Sequence, residues 1–462
     1  MSKLSRFNHF QLREDGNYIA YNAFSGAVAL MTAENYSIYG LIVKKLAGDP
    51  KTELNEKEKE LLKQLEYGHF MAPDDLDELE SMKFRHNWVR YDQTSLGFVI
   101  APTMACNMDC EYCYEENKSG SMSPEIMDTL VDFVDKRGPS LRSFSAGWYG
   151  GEPLLAMDTI GSLTERFLEL GEKHNFDYGA SIISNGVLLT PDTTDKLVEY
   201  KVRNVQVTVD GPGRIHNIKR PLKNGKPSFD TIMKNVTYAA DKLTVSIRVN
   251  IDKSFDREIV GELLRELVEA GLHEKVALYF GLLEPATQVC SNISESCYET
   301  ADFSKVEIDY YRMLLQNGFS ITRLPSPTIT FCMAQVCNSF LIDPAGEIYR
   351  CFNHVGNPDK TMGNIRDDID YQHRNFRHLF AFEPFSDEHC RACSLMPICM
   401  GGCPSRRADR NLTGDQMCET WKHNLEPMLE IIAVSKQREQ LKKAEKEKLD
   451  KQEAKVAAGE IK

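Results

Sequence analysis

Thirteen cysteines are the residues of this chain best able to do chemistry, and eleven of them fall into two constellations. The first reads Ala101-Pro-Thr-Met-Ala-Cys106-Asn-Met-Asp-Cys110-Glu-Tyr-Cys113-Tyr, a Cys-x3-Cys-x2-Cys spacing directly after a predicted strand. Three thiolates on one short loop can hold three irons of a 4Fe–4S cube and leave the fourth without a protein ligand. A zinc knuckle is the alternative, but zinc usually takes four N or S ligands in paired spacings, and no fourth partner lies nearby. The second constellation reads Cys332-x4-Cys337-x13-Cys351, a gap, Cys390-x2-Cys393-x5-Cys399-x3-Cys403, another gap, then Cys418. Eight cysteines are enough for two fully ligated cubes or for two zinc ribbons. Cys290 and Cys297 remain; free structural thiols are the default for them, and a substrate contact is the sharper reading.

Elements that could position these thiols follow from periodicity. From about 97 to 316, short apolar runs alternate with helical stretches. Strands are predicted near 97–103, 143–149, 178–184, 203–209, 243–250 and 275–282, and helices near 124–136, 159–173, 229–240 and 256–269. Such βα alternation predicts an α/β fold with a parallel sheet and outer helices. Six units fall short of the eight of a TIM barrel, so an open, partial (β/α)6 TIM-like barrel is expected. Residues 1–95 hold no cysteine and read as a small α+β unit. It has strands at Tyr18–Tyr21 and Ala27–Met31, a turn at Ser25-Gly26, and helices near Glu34–Leu46 and Asn55–Leu65. The expected units are 1–95, 96–320, the irregular cysteine-rich 321–425, and 426–462, a charged tail read as an exposed helix that frays.

Composition removes several functions. The chain has 462 residues and a formal charge of −13, which argues against general nucleic-acid binding, since that needs a basic face. No apolar run approaches the roughly 20 residues that cross a bilayer, and the polar N-terminus lacks a secretory apolar region. No membrane and no nucleic acid are expected as partners. A cytoplasmic, reducing location follows, where this many cysteines read as metal ligands or catalysts rather than disulfides.

Residues at later strand ends extend the pattern. Trp148-Tyr149-Gly150-Gly151-Glu152-Pro153 follows the second predicted strand, Ser184-Asn185-Gly186 ends the third, and Arg248 and Asn250 lie on the fifth. Two glycines free backbone carbonyls and let a ligand come close, and Glu152 adds an anionic acceptor. Asp210-Gly211-Pro212, with His216 and Arg220 after it, closes the fourth strand, most simply as a tight turn. All fall at the C-terminal mouth of the predicted barrel, where ligands bind.

Together with the triplet, these motifs resemble the radical S-adenosylmethionine (SAM) superfamily. The resemblance implies that SAM chelates the open iron, and that an electron injected into its sulfonium yields a 5′-deoxyadenosyl radical. It further implies that Tyr112 lies beside the adenine, that Gly150, Gly151 and Glu152 receive the ammonium, and that Ser184 and Asn185 contact ribose and carboxylate. Arg248 and Asn250 would hold the same cofactor.

The eight later cysteines, with Gly346 five residues before Cys351, closely resemble the SPASM domain, which holds two auxiliary 4Fe–4S clusters. By family pairing, Cys332, Cys337, Cys351 and Cys403 hold the first, and Cys390, Cys393, Cys399 and Cys418 the second. Three 4Fe–4S clusters and SAM are thus the implied cofactors. Residues 1–95 resemble the winged-helix leader-recognition element of ribosomal-peptide maturases.

The resemblance implies a maturase that oxidatively crosslinks a precursor peptide bearing a leader, with a ranthipeptide- or sactipeptide-type Cys thioether as the expected bond. An external electron donor such as flavodoxin or ferredoxin would serve it. Carbon–carbon (cyclophane) crosslinking or epimerisation, a sulfatase-maturase-like side-chain oxidase and a non-enzymatic zinc scaffold are the other readings. In anaerobic sulfatase-maturing enzymes an aspartate general base follows the cysteine equivalent to Cys351; here Phe352 stands there, with Asn353 and His354 beyond. A phenyl ring cannot take a proton, and no other residue stands out as a general base. With all eight cysteines ligating, a substrate thiol would reach the first auxiliary cluster only by displacing a ligand.

Overall fold

In the computed structural model, residues 2–48, 52–115, 120–285, 293–409, 412 and 414–457 are described. Cys290 lies outside them. The N-terminal unit begins with β1 (Ser2–Leu4) and an antiparallel sheet of β2 (Asn8–Leu12), β3 (Tyr18–Asn22) and β4 (Val28–Met31). Helices Ala33–Gly48 and Glu56–Tyr67 follow, then β5 (Met71–Pro73), which pairs with β1, and helix Glu78–Arg90. Asn55 starts the second helix with a capping box: it accepts from the Glu58 N–H while Glu58 accepts from its own. Apolar faces meet in a small core around Ala20, Met31, Ile42 and Leu65. The first and fifth strands and the third helix had no clear sequence signal, because the strands are three residues long and the helix carries charge on most faces.

Six parallel strands form the central sheet: β6 (Ser95–Thr103), β7 (Ser143–Gly150), β8 (Asp177–Ser184), β9 (Val202–Thr208), β10 (Thr244–Ile251) and β11 (Ala277–Leu282). They lie side by side in chain order. Helices Pro124–Arg137, Met157–His174, Phe229–Ala239 and Arg257–Glu269 fall where the periodicity placed them. Proline or a side-chain cap starts several: Ser123 accepts from the Ile126 N–H, and Asp256 from the Ile259 N–H. Helices Pro191–Glu199, Gly213–Lys219 and Thr300–Gln316 join them at positions for which the sequence reading named no individual helix.

The α/β barrel is therefore as expected, with one extension. Two further strands, β12 (Ser339–Ile342) and β13 (Ile348–Tyr349), bring the sheet to eight. β12 runs parallel to β6, Phe340 opposite Phe98, and β13 turns back antiparallel beside it. The sheet thus crosses the division drawn at 320/321 and carries the first cysteines of the C-terminal region to the barrel's edge.

The last helix, Trp421–Ala457, corrects the expectation of an exposed tail. Leu425, Met428, Leu429, Ile432 and Ala433 are buried. Asn424 donates to the buried Glu307 carboxylate at 2.7 Å, tying this helix to Thr300–Gln316. Averaging over a strongly charged C-terminal half hid the apolar first half. Among the described residues no helix is long and apolar enough to cross a membrane.

Candidate functional site

The Cys106–Cys113 loop leaves the end of β6 and is held in place by backbone contacts. The N–H groups of Gly151 and Glu152 donate to the carbonyls of Thr103 and Ala105, at 3.2 and 2.9 Å. Both glycines are sterically required. A Cβ on Gly150, whose φ is +120°, would lie 2.2 Å from the Thr103 oxygen, and one on Gly151 would lie 2.4 Å from the Met104 oxygen. The close approach expected for a ligand is thus made by the cysteine loop itself. On its other side, Asp109 N–H donates to the Pro221 carbonyl and Lys223 N–H to the Asn107 carbonyl. The segment after β9 therefore cradles the loop.

Glu152 is fully buried, and burial raises its pKa. Its carboxylate accepts from Leu154 N–H at 3.1 Å, Ser184 Oγ at 2.9 Å and Asn185 N–H at 2.7 Å. It joins the ends of β7 and β8 rather than opening to the cavity. Asn185 is fixed by this contact, accepts from Val187 N–H and donates to Asn107 Oδ1 at 2.7 Å.

Asp210 and Arg220, read from sequence only as part of a turn, prove central. Tyr112 Oη donates to Asp210 and accepts from Arg220, and Asp210 Oδ1 accepts from the Asn250 N–H at 2.8 Å. Arg220 Nη1 lies 3.6 Å from Asp210 Oδ2, so its charge is compensated. His216 supports the turn by accepting from Asp210 N–H at Nδ1, 3.2 Å away. Burial and then Arg220 push its pKa down to about 3, which keeps it neutral. Arg248 Nε donates to Asn250 Oδ1, and Gly281 gives the guanidinium room.

Two adjoining cavities open over this arrangement, of about 690 and 1110 Å³ counting their mouths. Cys106, Cys110, Cys113, Gly150, Ser184 and Asn185 line the first; Arg248, Asn250, Phe352 and Glu284 line the second. Tyr112, Tyr114, Tyr149 and Arg220 border both. The structure thus brings Tyr112, the two glycines, Ser184, Asn185, Arg248 and Asn250 to one mouth, and leaves Glu152 behind it. Tyr114, Tyr149 and Glu115 were missed: Tyr114 Oη and Tyr149 Oη are 2.5 Å apart, and Glu115 hydrogen-bonds Tyr149. Their adjacency to Cys113 and Gly150 was the available signal. Cys297 packs with Tyr112 and Leu283 beside Cys110.

The eight later cysteines gather in two groups. Burial raises the thiols of Cys332, Cys337, Cys351, Cys390, Cys399, Cys403 and Cys418. Cys332 rises to about 11 and Cys351 to about 12, with Cys403 beside both. Cys337 joins them across Arg350, which lies against Cys337 and Cys332. Cys399 rises to about 12 with Cys418 and Cys390 nearby, and Cys418 has Cys393 as a neighbour. Neighbours in each set thus come from segments far apart in sequence. Each constellation also meets a guanidinium: Arg220 near Cys110, Arg350 between Cys332 and Cys337, and Arg407, whose Nη2 donates to Cys390 Sγ at 3.2 Å. A thiolate-ligated iron–sulfur cluster is anionic, so thiol groups set against buried cations fit one.

Residues 100–267 match the radical SAM superfamily. Among curated relatives, a cysteine-type anaerobic sulfatase-maturating enzyme of Clostridium perfringens is 27% identical over 370 residues, 72% of this chain and 95% of that protein. The mycofactocin maturase MftC of Mycolicibacterium smegmatis is 26% identical over 65% of this chain and 76% of its own length. Among solved structures, native anSMEcpe with bound AdoMet and Cp18Cys peptide shares the fold at TM-score 0.58 and 22% identity, covering 74% of this chain and 99% of that one. Streptococcus suis SuiB bound to precursor peptide SuiA does so at TM-score 0.50 and 16% identity, over 87% and 95%. The family implies a 4Fe–4S cluster and SAM, and the site at the barrel mouth fits both. Residues 100–267 thus carry a radical SAM domain, and the chain is similar to maturating enzymes that include the sulfatase-maturating enzyme and the mycofactocin maturase.

Proposed function

We propose that this enzyme oxidatively crosslinks a ribosomally made precursor peptide, joining a cysteine sulfur to a carbon of another residue, with three 4Fe–4S clusters and SAM as cofactors. The observation that carries the reading is a three-thiol loop open to a cavity, with eight further cysteines in the C-terminal region whose neighbours include one another. Cys106, Cys110 and Cys113 hold the first cluster. Cys332, Cys337, Cys351 and Cys403 hold the second, and Cys390, Cys393, Cys399 and Cys418 the third. When bound, these groups supply a 5′-deoxyadenosyl radical that removes a hydrogen atom, and a route for the electron released on bond formation.

The chain's own residues orient and enclose. Tyr112, Gly150, Gly151, Ser184, Asn185, Arg248 and Asn250 form the cofactor contacts, with Glu152 holding Ser184 and Asn185 in place. The larger cavity receives the core peptide. Its apolar and aromatic walls, among them Leu282, Leu283 and Phe352, keep water from the reacting carbon. The N-terminal unit binds the leader by strand addition at an edge of its three-stranded sheet; Leu12 is exposed on one edge strand and Leu30 on the other. A small reducing protein such as flavodoxin or ferredoxin supplies electrons in a reducing, cytoplasmic setting.

A second reading, a sulfatase-maturase-like oxidation of a protein cysteine or serine, is favoured by the relatives. Against it stands Phe352, whose ring packs edge-on against Tyr149 at 4.9 Å where that reaction uses a base. The two separate in one assay. The anaerobically reconstituted enzyme is given candidate precursor peptides and a sulfatase-motif peptide, and the products are read by mass. Loss of two hydrogens per crosslink with fewer alkylatable cysteines supports thioethers. The same loss with every cysteine free overturns them, and an aldehyde on the sulfatase peptide selects the second reading.

A further inference from the structure

Arg350 is 1% exposed and sits immediately before Cys351. A guanidinium that deep is costly unless paired. Among the described residues no carboxylate pairs with it. Its Nη2 donates to the carbonyls of Met333, Ala334 and Val336 at 3.2, 2.9 and 2.7 Å, and Nη1 donates to the Ser339 carbonyl. Its Nε is buried without a partner. Phe376 and Phe340 cover its faces, at 4.6 and 5.6 Å. Its charge interacts with Cys337, Cys332 and Tyr371.

The other two arginines differ. Arg220 has Asp210 at 3.6 Å, and Arg407 has Asp387 at 3.4 Å. Only the guanidinium between Cys332 and Cys337 lacks an acidic neighbour among these three. Its hydrogen bonds also turn one face of the Met333–Val336 loop. With these carbonyls aimed at Arg350, the Ala334 N–H faces the Cys332 sulfur, while the Gln335 N–H donates to the Cys332 carbonyl at 3.1 Å.

We propose that Arg350 is a positioning residue that raises the reduction potential of the cluster held by Cys332, Cys337, Cys351 and Cys403. It acts as a buried positive charge with no carboxylate partner among the described residues and as a clamp on the loop whose Ala334 N–H faces sulfur, making that cluster the electron acceptor of the three. A buried cation favours the reduced cluster, which carries one more negative charge, and N–H···S bonds act in the same direction. The inference rests on the proposed cluster assignment.

The test is an anaerobic redox titration of the reconstituted full chain, followed by electron paramagnetic resonance, with iron counted in parallel. The Cys106/Cys110/Cys113→Ala background leaves the auxiliary signals alone, and Cys351→Ala on that background identifies which belongs to this cluster. If Cys351→Ala removes neither iron nor signal, the cluster assignment has failed, independently of Arg350. With the assignment in hand, Arg350→Met is expected to shift that cluster's equilibrium at least about tenfold toward the oxidised form, about 59 mV for one electron, while the other auxiliary cluster stays fixed. Full iron with an unchanged potential overturns the proposal. If Arg350→Met loses the cluster, Arg350→Lys decides. A retained cluster whose potential stays nearer the parent value supports the charge, whereas loss of the cluster there too overturns it.

Discussion

The barrel mouth and the C-terminal cysteine region solve different problems with the same ligand. At the mouth, three cysteines lie on one loop, pinned by two glycines on one side and by Pro221–Lys223 on the other, and the loop faces a cavity. In the C-terminal region, eight cysteines come from segments far apart in sequence, with Cys337, Cys390 and Cys418 buried and the others half-buried. Their electrostatics differ as well. Arg220 at the mouth is neutralised by Asp210, whereas Arg350 is not neutralised by any carboxylate among the described residues. A site that must give an electron to a sulfonium benefits from little net positive charge nearby. A site that must receive one benefits from the reverse. On the proposed cluster assignment, compensation of a buried arginine, rather than its presence, separates donor from acceptor.

The largest expected effect removes the donor. Cys106, Cys110 and Cys113 replaced together by Ala abolish 5′-deoxyadenosine formation and remove roughly a third of the iron, as expected for one of three equal clusters. Persistent SAM cleavage in that variant breaks the comparison at its root. Cys351→Ala attacks the acceptor instead. Deoxyadenosine still forms with dithionite as reductant, but crosslinked peptide falls to background in product mass spectra. Equal loss of both activities would show that the regions do not divide the work.

A finer test uncompensates the donor. Asp210→Asn keeps the shape that accepts from Asn250 but leaves Arg220 unneutralised beside Cys110. Deoxyadenosine formation should slow by about tenfold, about 1.4 kcal/mol in barrier, with that cluster's potential raised. An unchanged rate and potential would remove the electrostatic half of the contrast.

The smallest effect concerns the turn behind Tyr112. His216 has its pKa pushed down to about 3 by burial and by Arg220, so the unfolded chain binds its proton first on acidification. Its contribution to stability is complete above about pH 6.5 and is lost as pH falls from there toward 3, by at most about 1.4 kcal/mol per pH unit. His216→Asn, which keeps an acceptor for Asp210 N–H, should flatten the fall in urea midpoint between pH 6.5 and 5.5. A parent slope retained by this variant would place the acid sensitivity elsewhere.

Much of this was legible in the chain. The Cys-x3-Cys-x2-Cys loop, Gly150-Gly151 and the six βα units follow from local spacing and period, because a loop of three ligands and an alternation of apolar runs are short-range properties. The sequence by itself therefore determined the barrel, the three-cysteine loop and the existence of a second cysteine region; the reading of both regions as iron–sulfur sites came from family resemblance. Tertiary structure decided what those parts do to one another. It turned Glu152 inward to hold Ser184 and Asn185, made Asp210 and Arg220 the support of Tyr112, carried β12 and β13 into the barrel sheet, and buried the first half of the last helix. It also grouped Cys403 with Cys332 and Cys351 and left Arg350 without a carboxylate partner among the described residues. The reason is physical. Burial and charge compensation depend on atoms that meet from distant positions, and no local spacing encodes which buried charge will be left to face a cluster.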